Sequence, residues 1–142
     1  ILAGRNVTNF SNRRLSPQEC RAPKALDGEE ETLWKDWFDD PVGKPKFMEI
    51  DLGRTREFNH WSILHDGREN PELITSDFRI LVKDETDDDW RCIADIQDNR
   101  SNRSEETLSE TVRARYIRLE VTKGSRHDNK QVSIREFAAR KL

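Results

Sequence analysis

The sequence predicts an all-β fold, an antiparallel β-sandwich or jelly roll. Along most of the chain the apolar residues recur at every second position, which is the period of a strand with one buried face. Turn-forming residues interrupt this pattern at short intervals, and helical patterns are scarce. Many short strands joined by turns are typical of sandwiches and jelly rolls.

The elements follow in order along the chain. Ser16-Pro17 has the form of a helix start, and Pro23 limits this one short helix to about Ala22. The acidic bend Asp84–Asp89 is expected to be a solvated hairpin turn, since successive aspartates without a glycine make a poor calcium loop. Strands are predicted over residues 47–52, 58–65, 78–82, 90–96, 114–122 and 132–138.

Length and composition exclude several classes of protein. The 142 residues fit a single domain, and no apolar run is long enough for a transmembrane helix. Charged residues make up 37% of the chain, but the two signs are interleaved and the net charge is −3, so nucleic-acid binding is not expected. No signal-peptide pattern follows Ile1, as expected of a mature protein or an excised domain.

The residues that usually perform catalysis form no recognisable motif. There is no nucleophile elbow, His-Glu-x-x-His or phosphate loop, and the three histidines lack metal-ligand spacing. Cys20 lies in a charged stretch and Cys92 in the middle of a predicted strand, so we do not expect a disulfide between them. The sequence therefore predicts a binding module and not an enzyme.

The stretch from Lys24 to Trp34 is the most informative part of the chain. An acidic Asp27-Gly28 turn is followed by three further acids, then by Thr32 and Trp34, and soon afterwards by an alternating strand. A tight turn rich in oxygen ligands suits a hard cation better than it suits catalysis.

Five motifs together resemble the discoidin family, also called coagulation factor 5/8 C-terminal domains, and its carbohydrate-binding branch, the family 32 modules. They occur in the expected order between about residues 20 and 138. The motifs are Ala25-Leu26-Asp27-Gly28 with Thr32-x-Trp34, Met48-Glu49-Ile50-Asp51-Leu52-Gly53, Asp77-Phe78-Arg79-Ile80, Ala114-Arg115-Tyr116-Ile117-Arg118-Leu119 and Ile134-Arg135-Glu136-Phe137. The resemblance implies a galactose-binding-like β-sandwich of about eight strands, normally a monomer, with a structural calcium ion.

The resemblance also implies which residues would bind the calcium ion. The implied ligands are the Lys24 carbonyl, the Asp27 carboxylate, the Glu29 carbonyl, Thr32 through hydroxyl and carbonyl, the Arg135 carbonyl and the Glu136 carboxylate. Six or seven oxygens of mixed origin are what Ca²⁺ prefers. The alternative is an ordinary Asp-Gly turn with a solvated Glu136.

Sugar sites in this family lie on loops at one end of the sandwich, where an aromatic platform stands beside hydrogen-bonding groups. Three loops are candidates here, those following residues 34, 64 and 122. The chain departs from its sugar-binding relatives in each: Lys35 replaces a histidine, Ile74 replaces an asparagine, and the third loop lacks an aromatic. The candidate residues are Lys35, Trp37, Phe38, His65, Arg68, Glu69, Asn70 and His127.

Some of these residues have a structural alternative. Trp34 and Trp61 are expected in the core, and Trp90 reads as packing at a strand start. Trp37 is either a platform for a ligand or a packing residue. His65 either contacts a ligand or has a structural role.

The resemblance implies a non-catalytic carbohydrate-binding module with a structural calcium ion, an accessory domain of a secreted glycoside hydrolase. The implied partners are a glycan and a catalytic domain in the same polypeptide, outside the cell or at its surface. Two alternatives remain, an adhesion or lipid-binding domain that uses Trp37 and Phe38 as an apolar tip, and a structural spacer without a ligand.

Overall fold

The structure, a computed structural model, describes residues 2, 5–10, 25–26, 34–37, 45–68, 70–125 and 131–142. Seven antiparallel strands make up most of these residues. The strands are β1 (Asn6–Phe10), β2 (Trp34–Trp37), β3 (Lys46–His65), β4 (Thr75–Lys83), β5 (Arg91–Ile96), β6 (Arg103–Ser125) and β7 (Gln131–Arg140). A short 3-10 turn, Pro71–Leu73, precedes β4. The all-β prediction is confirmed, while the predicted helix over residues 16–22 lies outside the described residues.

The strands pair in the order β2-β7-β3-β6-β4-β5, with β1 added to the first half of β3. Both β3 and β6 are long strands that contribute to two layers of a sandwich. The first half of β3 pairs with the end of β6, and the second half pairs with both β7 and the beginning of β6. Two segments predicted as separate strands, 47–52 and 58–65, are therefore one bent strand.

The bend in β3 lies at Gly53. Its φ of +85° is a conformation that glycine adopts without steric cost, and its N–H donates to Asp51 Oδ1 at 2.8 Å. The pairing register with β6 shifts between Asp51 and Arg56, directly across this bend. The chain uses the bend to pass from one layer to the other, as strands do at the corners of sandwiches.

The core lies between the two layers. Met48, Ile50 and Leu52 are fully buried in the first layer, and Trp61 and Ile63 are buried in the second. Phe78 of β4 meets Trp61 edge to face, with ring centroids 5.9 Å apart. The alternation of apolar residues thus identified the core faces, and the core positions predicted for Trp34 and Trp61 are confirmed.

The acidic bend after Lys83 connects β4 and β5 as a hairpin, as predicted. Residues Asp84–Asp89 are exposed there, at the end of the sandwich where β3 bends. Cys92 of β5 is exposed as well, whereas Cys20 lies outside the described residues. Among the described residues, no helix is long and apolar enough to cross a bilayer.

Candidate ligand-binding end of the sandwich

The strands β3, β5 and β6 finish at the same end of the sandwich, opposite the bend in β3. Thr75 at the start of β4 pairs with Ser125 at the end of β6. The His65 N–H donates to the Asn102 carbonyl at 2.8 Å, and the Asn99 N–H donates to the Ser76 carbonyl at 2.9 Å. These bonds hold the β3–β4 and β5–β6 connections together, at the end where β7 begins.

The end of β2 belongs to the same region. In the β2–β7 ladder Lys35 pairs with Ser133, and Trp37 pairs with Gln131, the first residue of β7. The first and third candidate loops therefore leave the sheet side by side, after Trp37 and before Gln131. Lys35 is partly buried. For Trp37 the structure describes the backbone only, and Phe38 and His127 lie outside the described residues.

His65 lies beneath these loops and not on their surface. Its side chain is fully buried, and Nε2 is 2.9 Å from Ser104 Oγ and 3.2 Å from Asn99 Nδ2. The prediction that His65 contacts sugar is wrong, because the buried ring offers no surface to a ligand. Its structural alternative holds.

His65 is a neutral ring in this buried position. The Asn99 amide donates to the carbonyls of Thr75 and Ser101, both at 3.0 Å, and these two bonds account for both of its hydrogens. The Ser104 hydroxyl is therefore the hydrogen-bond partner of His65 Nε2. Burial favours the uncharged ring, since desolvation lowers the pKa of His65 to about 4.

Gly67 and Asn102 anchor the β3–β4 loop to its neighbour. The Gly67 N–H donates to Asn102 Oδ1 at 2.7 Å. A Cβ at Gly67 would lie 2.3 Å from Ile74 Cγ1, so the close approach requires glycine. Arg68 follows and is exposed, as is Asn70, whose side chain caps the 3-10 turn by accepting from the Glu72 N–H at 3.1 Å. Glu69 lies outside the described residues.

An ion pair joins the same loop to β7. Arg135 Nε and Nη2 lie 2.9 and 2.8 Å from Asp66 Oδ1, and both side chains are mostly buried. Charge-assisted contacts of this kind fix a loop more firmly than neutral ones do. The exposed Arg68 and Asn70 thus project from an anchored loop. Sequence patterns gave no sign of Asp66, Asn99 and Asn102 as its supports, because their partners are distant in the chain.

Of the predicted calcium ligands, Arg135 and Glu136 belong to the described residues. Lys24, Asp27, Glu29 and Thr32 lie outside them, and the described residues contain no group of three or more His, Cys, Asp or Glu side chains placed to bind a metal. Glu136 is partly buried on β7, and its Oε2 is shielded from solvent.

Residues on both sides of the predicted calcium turn belong to the described part of the chain. Trp34 pairs with Ile134 in the antiparallel β2–β7 ladder, and Arg135 and Glu136 continue β7 beyond that pair. Leu26 and Trp34 are both buried in the core. Residues 27–33 themselves lie outside the described residues.

Comparisons with known proteins agree with this architecture. The model of the F5/8 type C domain matches residues 6–137. No curated protein matches the chain significantly.

Solved structures with the same fold include three bacterial modules. The family 32 carbohydrate-binding module of Streptococcus pneumoniae EndoD aligns with a TM-score of 0.84 at 18% identity, covering 100% of this chain and 99% of that one. Chitosan-binding module 1 of a Paenibacillus sp. IK-5 chitosanase/glucanase aligns with a TM-score of 0.73 at 16% identity, over 98% and 95% of the two chains. The Clostridium perfringens module CpGH89CBM32-5, in complex with GalNAc-β-1,3-galactose, aligns with a TM-score of 0.67 at 21% identity, over 84% and 82%.

The family model covers most of the chain, and the EndoD module aligns with it over its whole length. The chain therefore belongs to the F5/8 type C domain family and has the fold of the family 32 carbohydrate-binding modules.

Proposed function

We propose that this chain is a non-catalytic carbohydrate-binding domain that holds a glycan near a catalytic domain of the same polypeptide, outside the cell or at its surface. The observation that supports the proposal is that the strands bordering the three candidate loops end together, at one anchored end of the sandwich. Similar modules belong to a chitosanase/glucanase or are bound to GalNAc-β-1,3-galactose. Tethering such a module raises the effective concentration of an enzyme at its substrate.

The chemistry of the loop end suits sugar hydroxyls. Arg68 offers a guanidinium and Asn70 an amide, and both are exposed on a loop that is held in place from below. Trp37 and its neighbour Phe38 are the aromatic residues available to stack on the apolar face of a sugar ring. The proposed contacts are those predicted from the sequence without His65: Lys35, Trp37, Phe38, Arg68, Glu69, Asn70 and His127.

Arg68→Ala is expected to weaken glycan binding by about tenfold or more, because it removes a charge-assisted hydrogen bond worth about 1.5–3 kcal/mol. Trp37→Ala is expected to weaken it at least as much. A glycan array would identify the ligand, and isothermal titration calorimetry would measure the affinities. Arg113→Ala is the matched control, since Arg113 is exposed near the bend in β3, away from the loop end, and should leave the affinity unchanged.

Two results would contradict the carbohydrate proposal. If no glycan binds at millimolar concentration, the domain is a spacer. If the protein instead sediments with liposomes and Trp37→Ala abolishes that binding, the loop end binds lipid. The net charge of −3 opposes binding to anionic lipid.

We further propose that a calcium ion joins the turn at residues 27–32 to Glu136. A cation would stabilise a shielded carboxylate such as that of Glu136, and Trp34, which follows the turn in the chain, pairs with Ile134, two residues before Glu136 on β7. The side chain of Arg135 is engaged by Asp66, so its proposed contribution is the backbone carbonyl. When bound, the ion would fix the turn to β7; catalysis is not among its roles.

EDTA is expected to lower the melting temperature by several degrees, and added calcium is expected to restore it. A ligand that binds only the folded state, and that is present at a concentration of about 100 times its Kd, raises the free energy of unfolding by about 2.7 kcal/mol. Glu136→Gln should remove most of this calcium response, whereas Glu110→Gln, an exposed position on β6, should retain it. A melting temperature that differential scanning calorimetry shows to be unaffected by EDTA and calcium would exclude the ion.

A further inference from the structure

Two arginines leave the chain side by side at the bend in β3, at the end of the sandwich opposite the candidate loops. Arg54 and Arg56 come directly after Gly53 and belong to the extended strand. Side chains two residues apart in a strand leave it on the same side. Arg54 is exposed and Arg56 is partly exposed, and β3 has no paired residue in β6 between Asp51 and Arg56. The two guanidiniums therefore lie at an open part of the surface.

A hydrogen bond holds the Arg56 side chain at the bend. Its Nε donates to the Leu52 carbonyl at 3.1 Å, which uses one of the several N–H donors of a guanidinium. Arg5 comes close to the same point along another strand, because it precedes β1 and Asn6 pairs with Asp51 in the antiparallel β1–β3 ladder. The register thus places Arg5 beside Leu52.

The electrostatics of Arg56 agree with this arrangement. Desolvation lowers the pKa of Arg56, and the positive charges of Arg5 and Arg54 lower it further. Like charges that act on one another in this way are close in space. A negative charge placed among them would be stabilised by all three.

The acidic residues of β3 near the bend are engaged elsewhere. Asp51 accepts two hydrogen bonds from Arg115, at 2.9 and 3.1 Å. Glu57 lies 2.7 Å from Lys141 and 3.2 Å from Arg113. The acidic turn between β4 and β5 is separated from β3 by β6. These carboxylates therefore pair with other basic side chains and do not balance the charges of the two bend arginines.

The chemistry of the two side chains favours an oxyanion. The planar guanidinium fork binds the oxygens of a sulfate or phosphate group in a bidentate manner. Because the arginines are open to solvent, they suit an anionic group carried on a larger molecule. Such a group can reach the bend without entering a cavity.

We propose that Arg54 and Arg56, strengthened by the field of Arg5, form a second ligand site that binds a sulfate or phosphate ester on a sugar. The site lies at the opposite end of the molecule from the candidate loops. It goes beyond the proposed function and does not depend on it, since the ester group, and not the sugar ring, makes the contacts.

An NMR titration of the ¹⁵N-labelled protein with glucose-6-sulfate and glucose-6-phosphate tests the proposal. Glucose is the uncharged control, and sodium chloride at equal ionic strength is the non-specific one. At millimolar concentration at least one ester should shift the amide signals of Arg54, Thr55 and Arg56, and the ester with the higher affinity is the one that the site prefers. Glucose and chloride should shift these signals much less.

Arg54→Gln should weaken the affinity for the ester about tenfold, because a charge-assisted hydrogen bond is lost. The side chain is exposed, so the variant should fold normally. Arg100→Gln is the matched control, since it removes the same charge from an exposed position on the β5–β6 connection, at the other end of the sandwich. It should leave the affinity unchanged, as should Trp37→Ala at the loop end.

Four results would each overturn the proposal. The first is the absence of shifts at residues 54–56 with both esters, and the second is a set of shifts confined to the loop end. The third is an equal response to glucose or chloride. The fourth is an equal loss of affinity in Arg54→Gln and Arg100→Gln, which would show that only the net charge of the protein matters.

Discussion

Phe78→Ala is expected to lower the free energy of unfolding by about 3–5 kcal/mol, the largest effect of any single change considered. Phe78 is fully buried and contacts both Trp61 and His65, with ring centroids 5.9 and 5.7 Å apart. Its ring therefore joins β4 of the first layer to the second half of β3 in the second layer. Urea unfolding followed by tryptophan fluorescence would measure the loss.

Phe47→Ala is the matched control for this prediction. Phe47 is partly buried on the outer face of the first layer, where the Arg118 guanidinium lies 4.1 Å from the centre of its ring. A cation–π contact at such a site contributes about 0.5–1 kcal/mol, so the same truncation should cost much less here. Equal losses for the two variants would contradict the assignment of Phe78 to the centre of the core.

Acidification from pH 7 to pH 4 is expected to destabilise the fold by about 3 kcal/mol through His65 alone. Burial lowers the pKa of His65 to about 4, whereas the unfolded chain has a histidine pKa of about 6.5. Between these values the unfolded state binds more protons than the folded state, so stability falls as pH falls. The contribution is fully present above pH 6.5 and lost by about pH 4. Urea unfolding at a series of pH values would measure it.

His65→Gln separates this effect from the titration of carboxylates. Hydrogen bonds to Arg115 and Lys141 lower the pKa values of Asp51 and Glu57, so these groups lose their stabilising contribution mainly below the histidine window. The variant should be less stable at neutral pH and nearly independent of pH between 6.5 and 4.5. A variant that keeps the wild-type slope in this window would show that His65 is not its source.

Local alternation was sufficient to predict the core strands but not their connections. Residues 47–52 and 58–65 each have a clear period of two, yet Gly53 joins them into β3 by bending the chain without ending the ladder. The first half of β6 was missed because it is mostly exposed, so residues 103–113 show no alternation of polarity. The strand β2 was missed because four residues give too short a pattern to recognise.

The candidate site was predictable only at the level of its loops. Arg68 and Asn70 were identified because polar residues after a strand are normally exposed, and both side chains are exposed in the structure. His65 has the same local appearance, but its neighbours Asn99 and Ser104 lie more than thirty residues away and remove it from the surface. Burial of a polar side chain depends on such distant partners, so the sequence alone left its role open.

The position of β7 between β2 and β3 has a consequence for the order of folding during synthesis. Among the described strands, β2 pairs only with β7, the last strand of the sheet. A ribosome therefore releases residues 34–37 long before their partner exists, and the β2–β7 ladder cannot be completed until residues 131–134 have emerged. The sheet is complete only after nearly all of these 142 residues have been made, and pairing across so many residues is intrinsically slow.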